Sequence, residues 1–503
     1  MFTKKLAKQN DKLNLVLISD HINHFFNNFE DMFSFEREFL CNFSHSLYRL
    51  GHNVYVILPF HKSIETSEEF KKLEFRKSEE IVIFDKNEGS EKKVDVMLYN
   101  CNGIKLLLIK SPSISNREGF LKDPANDMFY PDNLSRFVLF AKASLESLKI
   151  IPFKPDVIHI IGKWVSINAI YLKTLYKYDN FFRKSKVVFT IPSLHDIPLF
   201  VVDQYPILGL DWSFYRYEFL EFYGKVNTIK GAIIFSDITT FCSNSFIEEA
   251  KNPEVGRGFE GIISQAISEK KIKAIIPGVS KNILPSNDKY LSKIGLNYSV
   301  SNLTIKKKVK SLLCKKHKIN DSEIVFLFIG EFCEINGISL VYEVFSDILS
   351  KVKASLIIIG KGRDFREFAI EELHSANKDK VVWIKDLNQE EISLYLAGSD
   401  VLLFPSMLET GNTLPMASMV YGTLPLVRDV GISNDIVRDK INGFKFYEYS
   451  PDSLKTKVLE VIDIYYKNPK RWEKIIQTSM KSDFSWDNVA KNYVEKVYCG
   501  TEK

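Results

Sequence analysis

Two short segments in the second half of the chain carry residues that could bind an anion. Gly360 and Gly362 flank a single residue after an apolar run, and a glycine-containing turn lets backbone N–H groups approach a ligand closely. Asn412 and Thr413 stand before Pro415, which suits a first helical turn, so a helix N-terminus is predicted there. A lone Gly-X-Gly is a weak signal, and its place after a strand is what makes it a candidate.

The six cysteines show neither a paired nor a metal-type spacing. A disulfide framework and a zinc site are therefore both disfavoured, and a reducing compartment is indicated. We predict no metal and no covalent cofactor. The cysteines are Cys41, Cys101, Cys242, Cys314, Cys333 and Cys499.

The formal net charge of +5 is small for 503 residues, and the basic residues are spread along the chain. We interpret the densest basic run, at 306–316, as a solvated linker or helix face rather than a nucleic-acid site. The apolar run at 13–18 is too short for a signal peptide, and no run approaches the ~18 apolar residues of a membrane span. We therefore predict a cytoplasmic protein with neither nucleic acid nor membrane as a partner.

Short apolar runs rich in β-branched residues alternate with helical patterns along most of the chain. Such alternation is typical of parallel sheets covered on both faces. The chain is too long for one hydrophobic core, so two domains are expected. The runs lie at 13–19, 54–59, 105–109, 157–161, 187–191 and 274–276 in the first half, and at 324–330, 355–360, 381–384, 401–404 and 424–427 in the second.

The stretch between the two series is polar and contains no strand-like run. We predict an α/β protein with a first Rossmann-like domain at 1–285, a linker at 286–322 and a second Rossmann-like domain at 323–484. Two doubly wound domains of this kind are expected to face each other across a cleft, with ligands at the carboxyl ends of the strands.

The final segment, 485–503, is predicted to form a helix. Ser485 is a natural N-cap, and Trp486, Val489 and Tyr493 recur at helical spacing to give one apolar face. This segment therefore needs a partner surface to cover it.

Seven motifs occur in order along nearly the whole chain. They read LGHNV at 50–54, DNLSRF at 132–137, FYGKVNTIK at 222–230, NPEVGRG at 252–258, DVLLFPS at 400–406, YGTLPLVR at 421–428 and FSWDNVAKNY at 484–493. Taken together they resemble hallmarks of the bacterial and plant glycogen/starch synthases, whose two-Rossmann-domain architecture is called GT-B. One such match could be chance, whereas seven in the right order could not.

The resemblance implies a retaining transfer of glucose from ADP-glucose to the non-reducing end of an α-1,4-glucan. It implies an α-glucan and a nucleotide sugar as partners, with ADP-glucose a substrate rather than a cofactor, and a last helix that crosses back to the first domain. Such chemistry needs glycine-backed loops around the diphosphate, cations that neutralise the leaving nucleotide, and a carboxylate that orients the donor sugar.

Two phosphate-binding motifs of the family are altered in this sequence. The KTGGL loop falls on 32–36, where Met32 replaces the lysine and Phe35 replaces a glycine, so a bulky side chain blocks close backbone approach. The SRL--QKG segment aligns without gaps to 330–337, where Glu331 replaces the arginine and Asn336 the lysine. Losing one preorganised stabiliser typically raises the barrier by about 2.7–4 kcal/mol, and an opposed charge should raise it further.

The polar groups that the family supplies from its first domain are also reduced. The H-HDW motif retains His159, but Ile161 and Gly162 occupy its other two polar positions. The later HN motif has become Pro192 and Ser193. We interpret the retained His159 as structural.

The donor carboxylate survives. The family's PS-FEPCGL-Q segment aligns without gaps to 405–415, and Glu409 matches the catalytic glutamate, with a loop acid kept by ancestry as the alternative. By the same resemblance Gly360 and Gly362 match the nucleotide turn, and Asn412 and Thr413 are assigned to nucleotide-sugar binding.

Four basic residues could partly replace the lost cations, the alternative being that they are ordinary surface residues. They are Lys361, Arg363, Arg428 and Lys163. Two or more basic groups directed at the 360–362 turn would indicate a working site, whereas a cleft plugged by Phe33 and Phe35 would indicate a binding protein.

Three functions stay open: a glucan synthase with a rebuilt site, a non-catalytic homologue that binds glucan or a protein partner, and a transferase with another donor or acceptor. The broader GT-B group commonly has two glutamates separated by seven residues. This pair is absent here, because Ala417 stands eight positions after Glu409. Fold alone cannot decide among the three. We expect that the protein descends from enzymes of α-glucan synthesis and that its own transfer of glucose from ADP-glucose is weak or absent.

Overall fold

The chain forms two compact α/β units. The computed structural model describes residues 12–20, 35–65, 67–85, 89–191, 193–362, 364–408 and 411–500. Unit 1 comprises residues 1–277 and 486–503, and unit 2 comprises residues 278–485. Each of the apolar runs identified in the sequence overlaps a strand of one of these units.

Unit 1 is built around a large sheet of mostly parallel strands. Its strands are β1 (Asn14–Ser19), β2 (Asn53–Pro59), β3 (Glu74–Asp85), β4 (Ser90–Cys101), β5 (Ile104–Lys110), β6 (Lys122–Asp123), β7 (Met128–Phe129), β8 (Val157–Ile161), β9 (Lys186–Thr190), β10 (Phe200–Val201), β11 (Glu221–Phe222), β12 (Lys225–Val226), β13 (Ile238–Phe241) and β14 (Ile272–Ala274). The main sheet has the order β14-β13-β9-β8-β1-β2-β5-β4-β3. Among the described strands of this main sheet, the antiparallel pairings are those of β3 with β4 and of β4 with β5, and β3 and β4 form an edge hairpin.

The helices of unit 1 cover this sheet and enclose one apolar core. They are α1 (Phe35–Arg49), α2 (Lys62–Glu65), α3 (Glu68–Lys71), α4 (Pro112–Ser115), α5 (Asn133–Ser147), α6 (Ile167–Lys173), α7 (Thr228–Phe235), α8 (Asn244–Glu249), α9 (Pro253–Gly256) and α10 (Glu260–Ser268). The central strands are buried on both faces, which is why they read as continuous apolar runs in the sequence.

Unit 2 is a smaller and fully parallel version of the same plan. Its strands are β15 (Ile324–Ile329), β16 (Ala354–Ile359), β17 (Val381–Ile384), β18 (Val401–Phe404), β19 (Leu424–Arg428) and β20 (Phe444–Phe446), in the sheet order β17-β16-β15-β18-β19-β20. Its helices are α11 (Lys289–Lys293), α12 (Leu303–His317), α13 (Ile338–Ile348), α14 (Phe365–Ala376), α15 (Ile392–Gly398), α16 (Leu414–Val420), α17 (Gly431–Ile436), α18 (Pro451–Lys467) and α19 (Pro469–Met480). Because the strands are parallel, their carboxyl ends lie along one edge of the sheet.

The interpretation of the basic run at 306–316 as solvated is wrong for two of its lysines. Lys306 and Lys310 are buried, because they lie on the face of α12 that packs against α15. The Lys306 ammonium donates to the carbonyls of Ala397 and Ser399 at 2.7 and 2.9 Å, and Lys310 pairs with Asp400 at 2.6 Å. Buried ammonium groups are tolerated here because each has hydrogen-bond acceptors.

The C-terminal helix α20 (Trp486–Asn492) belongs to unit 1 and continues as a π-helical turn at Tyr493–Tyr498. It packs against α1: Trp486 is buried, its ring centroid lies 5.5 Å from that of Phe39, and Arg49 pairs with Asp487. The apolar face predicted for this helix is thus covered by the first unit of the chain.

The described part of the chain contains no group of three or more His, Cys, Asp or Glu residues arranged to hold a metal ion. None of the six cysteines, all of which lie within the described residues, forms a disulfide bond. Among the helices that the structure describes, none combines the length and the apolarity that a bilayer crossing requires.

Candidate functional site

Three backbone segments meet at the carboxyl edge of the unit 2 sheet: the loop after β15, the turn after β16 and the loop after β18. Gly337 and Gly360 make this approach possible. A Cβ at Gly337 would lie 2.2 Å from the carbonyl oxygen of Pro405, and one at Gly360 would lie 2.0 Å from that of Gly330. Both glycines also have positive φ, +75° and +146°, which disfavours other residues. The close approach of these segments therefore depends on glycine at both positions.

The turn at Gly360 and Gly362 already has its backbone groups engaged. The N–H of Phe332 donates to the carbonyl of Lys361 at 2.9 Å, which joins the turn to the loop after β15. The N–H of Gly362, a candidate for phosphate binding, donates to a carboxylate oxygen of Glu367 at 2.9 Å. Glu367 lies in the first turn of α14, so the protein's own carboxylate holds this amide.

The loop after β15 carries a carboxylate where the resemblance places a cation. Glu331 is exposed at the surface of this loop. Asn336, in place of the lysine, turns back and donates from its amide to the Glu331 carbonyl at 2.9 Å. Asn336 thus stabilises the loop but supplies no positive charge.

Glu334 is the point at which this loop is fixed to the rest of the edge. Its side chain accepts hydrogen bonds from the Tyr449 hydroxyl at 2.8 Å, from Ser339 at 2.9 Å and from Arg366 at 3.1 Å. Burial raises the pKa of Glu334, but the hydrogen bonds that its carboxylate accepts outweigh that effect and hold the pKa below its usual value. Nothing in the local sequence identified Glu334 or Tyr449, because the two lie 115 residues apart.

Two candidate replacement cations of unit 2, Lys361 and Arg428, are also engaged. Lys361 pairs with Asp386 at 2.7 Å, and both side chains are exposed. The Arg428 guanidinium donates to the Ser406 carbonyl at 3.0 Å and to the Met407 carbonyl, and it lies over the Tyr449 ring. Arg428 therefore holds the segment that leads to position 409.

Two of the predicted site residues, Glu409 and Arg363, lie outside the described residues. The positions of the altered KTGGL motif also lie outside them, except for the backbone of the last two, which opens α1. Asn412 and Thr413 are described: the Asn412 side chain accepts the N–H of Leu414 at 2.9 Å at the start of α16, and Thr413 is fully buried. These two residues immediately precede α16, as predicted.

In unit 1, His159 is a buried structural residue, which confirms the interpretation drawn from the sequence. Its ring nitrogens lie 2.7 Å from the Tyr498 hydroxyl and 2.6 Å from the Thr190 hydroxyl. Burial lowers the pKa of His159 to about 3, so the ring is neutral. A neutral imidazole with both nitrogens bonded has no capacity left for a ligand.

Lys163 lies on the turn after β8. Its ammonium donates to the carbonyl of His195. The same turn contacts Asp20, a carboxylate that no sequence motif indicated. Asp20 accepts the N–H of Trp164 at 2.7 Å, and a Cβ at Gly162 would lie 2.0 Å from its other carboxylate oxygen. Gly162 is therefore required by the fold at the position where the family has an acid.

Comparison with known proteins decides the family. Residues 39–265 match the family described as the starch synthase catalytic domain, and residues 309–478 match glycosyl transferases group 1. The chain is 33% identical over 369 residues to glycogen synthase of Thermodesulfovibrio yellowstonii, covering 73% of each chain. It is 31% identical over 463 residues to glycogen synthase 2 of Geobacter metallireducens, covering 89% of this chain and 92% of the relative. The chain belongs to the glycogen synthase family.

Similarity to solved structures shows that the fold of this glycogen synthase family member is GT-B, as predicted. The catalytic domain of Starch Synthase IV from Arabidopsis thaliana, bound to ADP and acarbose, matches with a TM-score of 0.80 over 96% of this chain and 98% of that one, at 22% identity. Sucrose-phosphate synthase from Thermosynechococcus elongatus matches with a TM-score of 0.58 over 95% and 96%, at 14% identity. At these identities the similarity concerns the fold alone.

Proposed function

We propose that this member of the glycogen synthase family transfers glucose from ADP-glucose weakly or not at all. One observation carries the proposal: the loop after β15 has Glu331 and Asn336 where the resemblance places an arginine and a lysine. Glu331 is exposed at this edge, and the Asn336 amide is bonded to the loop itself. Removing one preorganised charge stabiliser costs roughly 10²–10³ in turnover, so two changes at one phosphate site should leave little activity.

The neighbouring groups that the structure describes support this proposal, because their charges and donors are engaged within the protein. The Lys361 ammonium faces Asp386, and the Arg428 guanidinium donates to two backbone carbonyls. The Gly362 amide, which could have bound a phosphate oxygen, donates to Glu367. A diphosphate at this edge would have to compete with carboxylates of the protein.

The proposal includes the division of roles drawn from the sequence. The first domain, at 1–285, would take the α-glucan, and the second, at 323–484, would take the nucleotide sugar near Gly360, Asn412 and Thr413. Glu409 would act on the donor glucose in whatever transfer persists. We propose a cytoplasmic location, as expected for free thiols, and a protein partner stays compatible with this function.

The second candidate is a non-catalytic homologue that binds α-glucan or a protein. The self-contained hydrogen bonding of the 330–337 loop favours it, because Asn336 and Glu334 serve the structure of that loop. A transferase for another donor is the third possibility, and it needs a donor whose leaving group carries less negative charge than a diphosphate.

The test is transfer of radiolabelled glucose from ADP-glucose, and separately from UDP-glucose, onto glycogen. We expect incorporation near background for the natural chain and a rise when Glu331→Arg and Asn336→Lys are combined. Glu409→Ala in the same background is the control and should abolish any gain. Robust incorporation by the natural chain that disappears in Glu409→Ala would contradict the proposal and show that the site has been rebuilt.

A further inference from the structure

The outer edge of the unit 1 sheet is formed by β3, and no described strand pairs with that edge. β3 is the last strand in the sheet order, and it pairs on its inner side with β4. An open edge of this kind is a template for pairing with a further strand. Natural proteins usually protect such an edge with charged side chains, prolines or bulges.

The two halves of β3 differ in this protection. Residues 74–80 include five charged side chains, and the register with β4 is irregular between Phe75 and Lys77. The following run, 81–84, reads Ile-Val-Ile-Phe and contains neither a charge nor a proline. The features that protect an edge strand therefore stop where the apolar run begins.

The side chains of this apolar run alternate between a covered face and an open face of the sheet. Ile83 is 4% exposed and belongs to the apolar core of unit 1, and Ile81 packs against the same core. Val82 and Phe84 lie on the opposite face and are 50% and 55% exposed. Their apolar surface lies beside open backbone groups, so a further strand at this edge would cover both.

A second copy of β3 is the strand that fits this edge. A two-fold symmetric interface must be self-complementary, and an antiparallel pair of identical strands meets this condition through its alternating N–H and C=O groups. With Ile83 on the two-fold axis, Val82 of each copy stands opposite Phe84 of the other. Pairs of an aromatic and a β-branched residue are among the favourable cross-strand pairs. Moving the axis to Ile81 would instead place Glu80 opposite Val82.

The register centred on Ile83 also keeps the charged half of β3 out of the paired segment. Because β3 ends at Asp85, the two strands overlap over residues 81–85 in this register. The charged residues of 74–80 then lie beyond the overlap in both copies. The distribution of charge along β3 is therefore compatible with self-pairing of its second half.

We propose that two copies of this chain associate by antiparallel pairing of their β3 strands over residues 81–85, which joins the two unit 1 sheets into one. This association goes beyond the proposed function, because it involves neither the sugar donor nor a glucan. One short strand pair covers less than the roughly 800 Å² per partner of a stable interface, so the dimer should be reversible and concentration-dependent.

Sedimentation velocity of the full chain over a series of concentrations measures the association. The natural chain should shift from monomer to dimer, and Val82→Lys should raise the Kd of the dimer about 10-fold or more, because each dimer loses two apolar pairs and gains two ammonium groups. Val201→Lys is the matched control, since Val201 is 56% exposed on β10 of the same unit. This variant should dimerise like the natural chain.

Hydrogen exchange then locates the interface. The backbone amides of 81–84 that point away from β4 should exchange more slowly as the concentration of the natural chain rises. In Val82→Lys their exchange should depend much less on concentration. Near-ultraviolet circular dichroism checks that the variants are folded.

Three results would overturn the proposal. The natural chain could remain a monomer throughout the micromolar range, which would leave the β3 edge to a strand of another protein. Val82→Lys could dimerise as tightly as the natural chain. A dimer could also form without protection of the 81–84 amides, which would assign the association to another surface. The glucose-transfer assay measures a separate property, so failure of either proposal leaves the other untouched.

Discussion

His159 in unit 1 and the 330–337 loop in unit 2 both belong to motifs that the family resemblance associates with donor binding, yet they differ in burial and in hydrogen bonding. His159 is fully buried in the middle of β8, and both of its nitrogens are bonded within the protein. Glu331 stands in an exposed loop and has replaced a cation by a carboxylate.

The difference shows that the fold and the site of this protein are held by separate residues. Replacing His159 would remove hydrogen bonds to β9 and to the C-terminal segment. The stability of the fold is therefore a sufficient reason for a histidine at this position. The loop keeps its shape through backbone bonds, Gly337 and Glu334, which leaves the charge at position 331 free to change. Stability and phosphate binding should therefore respond to different substitutions.

The largest effect should come from His159→Ala. It leaves a cavity and removes the partner of the Tyr498 and Thr190 hydroxyls, so the free energy of unfolding of unit 1 should fall by about 3 kcal/mol. Native-state hydrogen exchange of the β8 amides measures this change. His45→Ala, which removes one half-buried bond to the Cys41 carbonyl, should cost about 1 kcal/mol. Equal losses in the free energy of unfolding of the two variants would contradict the structural role assigned to His159.

The same residue predicts a pH dependence. The pKa of His159 is about 3 in the folded chain and 6.5 in its ordinary state, so between these values the unfolded chain binds more protons. The stability that neutral His159 contributes is complete above pH 6.5 and is lost as the pH falls towards 3. The free energy of unfolding, measured with denaturant between pH 4 and 7, should depend less steeply on pH for His159→Gln than for the natural chain. Parallel slopes would argue that another group controls the acid response.

Substitutions in the 330–337 loop of unit 2 should change ligand affinity rather than stability. Glu331→Arg combined with Asn336→Lys should raise ADP affinity about 10-fold, because two cations replace a carboxylate and an amide beside a diphosphate. Calorimetry with ADP at two salt concentrations measures this gain, which should shrink at high salt. Glu343→Arg makes the same charge change as Glu331→Arg at an exposed position of α13 and should leave the affinity nearly unaltered.

Tyr449→Phe tests how the loop keeps its shape. It removes the hydroxyl that donates to the Glu334 carbonyl and carboxylate, so the free energy of unfolding of unit 2 should fall by about 1 kcal/mol. Urea denaturation measures the change. In Tyr342→Phe the deleted hydroxyl has no hydrogen bond within the described part of the chain, so this control should remain within ~0.5 kcal/mol of the natural chain.

The smallest effect is expected for Lys361→Ala. The exposed pair of Lys361 with Asp386 should contribute less than about 1 kcal/mol to stability, and ADP affinity should change by no more than roughly twofold. Calorimetry with ADP, performed in parallel on this variant and on the Glu331 variants, lets their ADP affinities be compared directly. A loss of 10-fold or more would instead identify Lys361 as a working replacement for the missing cations.

Much of the fold could be predicted because parallel strands buried on both faces leave continuous apolar runs in the sequence. The β3–β4 hairpin was not predicted, since its two 12-residue strands are rich in charged residues and lie at the sheet edge. The burial of Lys306 and Lys310 was mispredicted for a related reason. A basic run has the composition of a solvated helix, and only the packing of α12 shows which lysines point inward.

The sequence by itself determined the family, most of the central parallel strands, the reversal of charge at position 331 and the loss of a charge at position 336, because each depends on residue identity and local spacing. Only the tertiary structure decided which polar groups satisfy one another. His159 meets Tyr498 across 339 residues, and Glu334 meets Tyr449 across 115. The physical reason is that a hydrogen bond requires donor and acceptor within about 3 Å, and folding alone brings residues so distant in the sequence together.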